Sequence, residues 1–195
     1  MAGPKMGVHA AEPSVAIAFA SRFGTTRLLV ERVASGLRST GFDVELLDVT
    51  QDPRPPPDGR LIVMSSIIWE SSLPAMNAWI ARYQSAVRTR TVAAGVVCGR
   101  AGVEANGGLA YTRALVKRIG AGGHFEFALS GGMPARERLR AWERSALAAA
   151  GAVLGHSFTH LRPDEEGASM IGLELGRRLA KAVVDGPGAA QGVEA

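Results

Sequence analysis

The sequence predicts an α/β protein built as a three-layer sandwich, with a five-stranded parallel sheet between helices and an extra helical insertion after strand five. Short apolar runs alternate along the chain with segments of helical periodicity. This alternation implies parallel strands joined by right-handed crossovers, with helices on both faces of the sheet. The 195 residues and the hydrophobic fraction of 47% suit a single domain. We expect that domain at residues 14–184, with a disordered leader at 1–13 and a flexible tail at 185–195.

The first third of the chain predicts three strands and one helix. An apolar run at residues 15–19 predicts strand one. The helix after it has an apolar stripe formed by Leu28, Leu29, Val33 and Leu37. Residues 42–49 alternate in part and predict strand two, whereas the proline-rich residues 51–59 predict a loop. Residues 61–64 are entirely apolar, which is typical of a central parallel strand.

The next segments continue the alternation. A helix is predicted from Pro74, because proline is favoured in the first turn of a helix. Its apolar stripe is formed by Met76, Trp79, Ile80 and Tyr83. Residues 91–98 and 124–129 predict strands four and five, and residues 109–119 between them predict a helix that Gly120 ends. A final helix is predicted at residues 165–184.

The link between strand five and the final helix, residues 130–164, is longer than this fold needs. Within it, residues 134–154 predict an amphipathic helix. Its apolar stripe is Leu139, Trp142, Ala146, Leu147, Ala150, Val153 and Leu154, and its start carries Arg136, Arg138, Arg140 and Arg144. The segment is either a packed crossover helix with a solvated basic face, or a lid, partner surface or membrane-contact element near a functional site. Trp142, like Trp79, is expected to be a core residue.

Composition narrows the class of protein further. The single cysteine, Cys98, excludes an internal disulfide framework and predicts a reducing, cytoplasmic location. No apolar run reaches the length of a membrane span. The formal net charge of +4 comes mostly from arginine. The richness in arginine and alanine reflects either a GC-rich genome or an anionic partner such as a phosphate, a carboxylated substrate or an acidic lipid surface.

The turn at residues 21–26 lies between the first strand and the first helix. Free backbone N–H groups and the helix dipole favour an anion at such a turn. Ser21, Thr25 and Thr26 add hydroxyl donors, and Gly24 allows close approach of the backbone. Because no lysine or metal ligand is present, the turn suits a monophosphate better than a nucleoside triphosphate. The alternative is a capped turn without a ligand, with Arg22 exposed to solvent.

Two nucleotide-binding motifs are missing from the first turn. It contains neither the G-x-G-x-x-G fingerprint of dinucleotide-binding folds nor the G-x-x-x-x-G-K-[ST] triphosphate loop. Both absences argue against NAD and ATP as the primary ligand. His156 and His160 have a spacing that could chelate a metal on a helix, but no third ligand accompanies them, so no metal site is predicted.

Three loops should meet at the carboxyl edge of the sheet, where open parallel sheets bind ligands: 21–26, 65–72 and 99–108. The sequence Ser21-Arg22-Phe23-Gly24-Thr25-Thr26 resembles the phosphate loop of the flavodoxin superfamily. The chain most resembles its menaquinone-dependent protoporphyrinogen oxidase branch. The segment from Ser65 to Glu70, the glycine-rich residues 99–108 and the insertion after Ser130-Gly131-Gly132 fit the same pattern. The resemblance covers residues 14–184.

This resemblance implies a bound FMN in a flavodoxin-like fold. The 5′-phosphate would be held by Ser21, Arg22, Phe23, Gly24, Thr25 and Thr26. The isoalloxazine ring would lie along Ser65, Ser66, Ile67 and Ile68, with Trp69 stacking on it. Its polar edge would meet Gly99, Arg100, Asn106 and Gly107. The redox chemistry would be that of the flavin, and no catalytic side chain is assigned.

The leading functional hypothesis is therefore an FMN-dependent oxidoreductase acting on a porphyrinogen-like, quinone-like or other planar aromatic substrate. One alternative is an electron carrier of the flavodoxin type for a partner enzyme. Another is a binding module with this fold and no flavin. The expected partner is a small redox substrate or a redox protein, and no nucleic acid, because no nucleic-acid module is recognisable. A homodimer and a membrane contact of the insertion are left open.

Overall fold

The computed structural model describes residues 14–68, 71–102, 107–120, 122, 124–132, 138–154 and 162–184. Five of its strands form a parallel sheet: β1 (Ser14–Ala20), β2 (Asp43–Asp48), β3 (Arg60–Ile68), β5 (Thr91–Cys98) and β6 (Phe125–Ser130). Their order across the sheet is β2-β1-β3-β5-β6. A short strand, β4 (Ser71–Ser72), pairs antiparallel with the end of β3. The predicted five-stranded parallel sheet is confirmed, and β4 is an addition to it.

Six α-helices are present in the described part of the chain. They are α1 (Thr25–Arg38), α2 (Pro74–Arg82), α3 (Gln84–Arg90), α4 (Leu109–Ile119), α5 (Ala141–Leu154) and α6 (Glu165–Val184). Helix α3 was not predicted, because Val87 is its one buried residue and leaves no apolar periodicity to detect. Helix α5 begins at Ala141, later than the predicted residue 134, and residues 133–137 lie outside the described residues.

Two apolar cores lie on opposite faces of the sheet. Ile17 belongs to the core beneath α1 and α6, whereas Ala16 and Ala18 belong to the core beneath α2, α3 and α4. Alternate residues of β1 thus enter different cores, and a strand buried on both faces must be apolar throughout. The confirmed core residue Trp79 is 2% exposed, and its Nε1 donates a hydrogen bond to the Pro53 carbonyl oxygen at 2.7 Å.

Helices α1 and α6 pack together through glycines. A Cβ atom on Gly36 would lie 2.5 Å from the carbonyl oxygen of Ser169 in α6. A Cβ atom on Gly172 would overlap the carbonyl oxygen of Val33 and lie 3.0 Å from Gly36 Cα. The missing side chains let the two backbones touch, so this contact fixes the position of α1 against α6.

Candidate functional site

A cleft opens at the carboxyl edge of the sheet, above β1, β3, β5 and β6. Its walls include Thr25, Thr26, Ser66 and Gly99, which come from all three loops expected at this edge. The described part of the cleft has a volume of about 60 Å³. That is room for a few water molecules or a phosphate-sized group, and the cleft continues into open solvent, where a larger group could extend. Residues 69–70 and 103–106, which belong to the expected ring site, lie outside the described residues.

The turn between β1 and α1 is the predicted phosphate loop, and its backbone is ordered by Gly24 and Ser21. Gly24 adopts a left-handed conformation with φ of 90°, which glycine reaches without a Cβ penalty. The Ser21 hydroxyl oxygen accepts hydrogen bonds from the backbone N–H groups of Gly24 at 3.1 Å and Arg27 at 3.4 Å. The first four N–H groups of a helix lack partners within the helix. Those of Thr25 and Thr26 have no hydrogen-bond partner among the described residues. The first turn of α1 contains no acidic residue that would occupy them.

The three hydroxyl groups expected to face the anion have different surroundings. Thr26 is 1% exposed, and its hydroxyl pairs with the Ser66 hydroxyl at 2.5 Å, which ties the turn to the end of β3. The Ser21 oxygen already accepts the two backbone bonds that shape the turn. Within the described part of the chain, the half-buried Thr25 hydroxyl makes no hydrogen bond to protein. Thr25 is therefore the hydroxyl group best placed to serve a ligand.

The segment predicted as a second loop is mainly strand. Ser65, Ser66, Ile67 and Ile68 continue β3, and Ile67 and Ile68 pair with Ser72 and Ser71 of β4. β-Branched residues favour extended backbone, which explains why the strand continues past the predicted end. Ser66 and Ile67 line the cleft, whereas Ser65 is buried and its hydroxyl donates to the Ser66 carbonyl oxygen. Trp69 lies outside the described residues, so its stacking role stays a prediction.

The third loop begins as a 3₁₀ turn, Gly99–Gly102. Gly99 lines the cleft. Gly107 lies in the turn before α4 and is not one of the residues that line the described cleft. The backbone of Arg100 is part of the 3₁₀ turn, and Asn106 lies outside the described residues.

The cleft is also lined by four residues that were not predicted from the sequence to belong to it: Val97, Cys98, Gly131 and Gly132. Gly131 is tightly enclosed, because a Cβ atom there would lie 2.7 Å from Val97 Cγ1. Its N–H donates to the Cys98 carbonyl oxygen at 3.2 Å, which brings the start of the insertion to the cleft. The consecutive glycines after strand five were the available signal, since small residues permit close approach of backbone to a ligand.

The insertion contacts the turn after β1 through a short segment, residues 138–144, which we call the arm. Arg138 Nη1 donates to the Phe23 carbonyl oxygen at 2.6 Å. Glu143, whose side chain is 3% exposed, accepts from Arg22 Nη1 at 2.6 Å. Its other carboxylate oxygen accepts the backbone N–H of Arg140 at 2.8 Å. The arm therefore bonds both to a backbone oxygen and to a side chain of the predicted phosphate loop.

The predicted burial of Trp142 is wrong, since Trp142 is 54% exposed. Helix α5 turns the neighbouring Glu143 inward instead, and Leu139, which precedes the helix, is also buried at 9% exposed. The ion pair with Arg22 and the hydrogen bond to Arg140 compensate the buried carboxylate. The apolar stripe thus contributes Leu139 to the buried side, whereas the paired carboxylate of Glu143 is buried in place of Trp142.

The electrostatics of Glu143 follow from these contacts. The backbone N–H of Arg140 makes the largest contribution to lowering the pKa of Glu143 below its ordinary value of 4.5. The hydrogen bond and charge of Arg22 lower it further, whereas desolvation opposes them. The carboxylate is therefore ionised at neutral pH, and Arg22 has a permanent anionic partner.

A pH-dependent stability is expected from this lowered pKa. Ionised Glu143 stabilises the fold above its ordinary pKa of 4.5, and this contribution is lost as the pH falls through the lower folded-state pKa. The urea midpoint of the unchanged protein should exceed that of Glu143→Gln at about pH 6, and the difference should shrink towards about pH 3. Glu174→Gln, which removes the carboxylate of an exposed pair with Arg178, is the matched control. A difference that persists unchanged at about pH 3 would contradict this role.

Two further features bear on the class of site. No group of three His, Cys, Asp or Glu side chains capable of holding a metal is found among the described residues. His156 and His160 lie outside them. Of the helices that the structure describes, none is both long and apolar enough to cross a bilayer.

Solved structures with the same architecture are known. The flavodiiron core of Flv1 from Synechocystis sp. PCC6803 matches with a TM-score of 0.56 and 14% identity, over 89% of this chain and 37% of that chain. The rubredoxin oxygen:oxidoreductase of Desulfovibrio gigas matches with a TM-score of 0.55 and 13% identity, over 88% of this chain and 38% of that one. A flavodoxin from the domain Archaea matches with a TM-score of 0.53 and 10% identity, over 86% of this chain and 99% of that one.

These similarities confirm the predicted flavodoxin-like fold. The chain spans less than two fifths of the first two proteins and nearly the whole of the archaeal flavodoxin. At such low identities the likeness concerns the fold, and it gives no support to the protoporphyrinogen oxidase branch in particular. No family model and no curated protein matches the sequence.

Proposed function

We propose that this chain binds FMN and works as a redox flavoprotein. The observation that carries the proposal is the turn at residues 21–26, where Ser21 shapes the backbone and the N–H groups of Thr25 and Thr26 are left for an anion. This turn opens into a cleft at the carboxyl edge of the sheet, which is the ligand-binding edge of open α/β folds. The structural relatives include a flavodoxin, which makes FMN the leading candidate ligand.

The residues present suit a flavin monophosphate. The turn offers backbone donors and the Thr25 hydroxyl to one terminal phosphate. Arg22, which is not one of the residues that line the cleft, would have to reach the phosphate from the other side of the turn. Ser66, Ile67 and Gly99 of the cleft wall would approach the ring system. When bound, FMN would supply hydride and electron transfer, and the chain would bind and orient it and adjust its potential.

An oxidoreductase with an organic substrate is the preferred activity. The third loop, residues 99–108, contains no aromatic residue to cover the outer ring face. An uncovered face favours direct reaction with a substrate. A planar aromatic such as a porphyrinogen or a quinone is the proposed class, and it rests on the sequence resemblance alone. The alternative is an electron carrier, which the likeness to a flavodoxin favours.

Spectroscopy tests the cofactor, and potentiometry then tests the activity. A yellow protein, or one that takes up added FMN, supports the proposal, whereas a colourless protein that does not take up FMN favours the flavin-free binding module. Two-electron turnover with small quinones indicates an enzyme. A stable one-electron reduced form without such turnover indicates a carrier.

Removing two hydroxyl groups of the turn should weaken FMN binding. Ser21→Ala with Thr25→Val removes the acceptor that shapes the turn and the hydroxyl left for the ligand. We expect the FMN dissociation constant to rise about tenfold to a hundredfold, measured by fluorescence titration. The matched control is Ser85→Ala with Thr89→Val, two exposed positions of α3. Equal FMN affinity in both double variants would count against the phosphate assignment.

A further inference from the structure

The arm of the insertion places a buried carboxylate next to the predicted phosphate loop. Glu143 is 3% exposed, yet it is bonded to Arg22, whose side chain is 31% exposed. An acidic group beside an anion site is unfavourable unless it serves another purpose, since like charges repel. The carboxylate contacts the loop through the Arg22 guanidinium.

We propose that Glu143 is a positioning residue for phosphate recognition, which holds the Arg22 guanidinium over the turn at residues 21–26. The inference rests on the proposed FMN site and adds a part of the insertion to it. Arginine has five N–H donors in a planar fork. One nitrogen, Nη1, engages Glu143 at 2.6 Å, and the exposed remainder is accessible to a second anion. Arg22 would thus bridge the carboxylate and the phosphate.

A further contact, with the Phe23 ring, restricts Arg22. Its guanidinium carbon lies 4.7 Å from the centroid of the Phe23 ring, in a cation–π arrangement. The Phe23 carbonyl oxygen is in turn held by Arg138. Phe23 also lines the cleft. The guanidinium is therefore fixed by the carboxylate and by the ring, so little orientational freedom would be lost when a phosphate binds.

Hydrogen bonds within the arm hold Glu143 in place. Arg144 Nη1 donates to the Leu139 carbonyl oxygen at 2.7 Å, and the Arg140 N–H donates to Glu143. These bonds close the start of α5 around the carboxylate. They also give Glu143 a structural role, so the test must separate recognition of phosphate from stability of the arm.

Comparison of FMN with riboflavin makes this separation, because the two ligands differ only in the phosphate. In Glu143→Gln, FMN affinity should fall about tenfold while riboflavin affinity changes less than about twofold. Arg22→Gln, in an exposed part of the turn, should likewise lower the ratio of FMN affinity to riboflavin affinity. In the Arg22→Gln background, adding Glu143→Gln should have no further effect on the ratio. Glu174→Gln is the matched control and should leave the ratio unchanged.

The possible outcomes distinguish failure of the proposed FMN binding from failure of the positioning role of Glu143. If the unchanged protein binds neither FMN nor riboflavin, the proposed function fails and this inference with it. If it binds both, and Glu143→Gln lowers both affinities equally or neither, the positioning role alone is overturned. A fall in the ratio that persists in the Arg22→Gln background also overturns it, since Glu143 would then act through another group. Should Glu143→Gln fail to fold, an unchanged ratio in Arg22→Gln overturns the inference.

Discussion

Replacing Thr25 with aspartate should lower FMN affinity at least about a hundredfold while leaving the unliganded protein as stable as before or slightly more stable. Thr25 is the first residue of α1, and the first turn has no acidic residue. A carboxylate there would meet the free N–H groups and the positive end of the helix dipole, which stabilises a helix by about 0.3–1 kcal/mol. The same carboxylate would repel a bound phosphate by about 4 kcal/mol per unit charge at 4 Å.

The diagnostic result is that Thr25→Asp lowers FMN affinity without lowering the free energy of unfolding. Thr25→Asn is the matched control, because it has the shape of aspartate without the charge. It should lower FMN affinity by no more than about tenfold. Fluorescence titration gives the dissociation constants, and urea unfolding without flavin gives the free energy of unfolding. If aspartate and asparagine reduce FMN affinity equally, no phosphate binds at the start of α1.

The parallel sheet was predictable because its signal is local. Strands buried on both faces require continuous apolar runs, and Ile62, Val63 and Met64 supply one in β3. The strand–turn–helix at residues 21–26 was predictable for a similar reason, since an apolar run, a glycine-rich turn and a helical stripe follow one another along the chain. The phosphate that this turn would bind stays a prediction. Strand β4 was missed because two residues carry no periodicity, and its partner residues appeared to belong to a loop.

The contacts of the insertion could not be predicted from the sequence in this way. Arg138 and Phe23 are 115 residues apart, and no local pattern relates them. Trp142 and Glu143 are adjacent, so a rotation of about 100° exchanges which of them is buried. Hydrophobicity favoured the tryptophan, but Arg22 and the Arg140 N–H provide partners for the carboxylate. Long-range pairing thus overrode the apolar pattern at the point where the insertion meets the candidate site.

The second large effect is expected at the contact between α1 and α6, where Gly172→Val should destabilise the protein by about 3 kcal/mol. A Cβ atom at residue 172 would overlap the Val33 carbonyl oxygen and press on Gly36 Cα. Both are backbone atoms, so the helices must separate, because neither neighbour can change rotamer. The loss should exceed the gain of less than 1 kcal/mol that comes from removing a helical glycine.

The displacement of α1 in Gly172→Val has a consequence for the candidate site. Helix α1 supplies the N–H groups of Thr25 and Thr26, so displacing it from α6 should also weaken FMN binding. Urea unfolding measures the stability, and Ala180→Gly, at an exposed position of α6, isolates the cost of helix propensity, about 1 kcal/mol. Ala180→Gly should leave FMN affinity intact. If Gly172→Val is no less stable than Ala180→Gly, the close contact between α1 and α6 does not form, and the placement of the phosphate turn loses its structural basis.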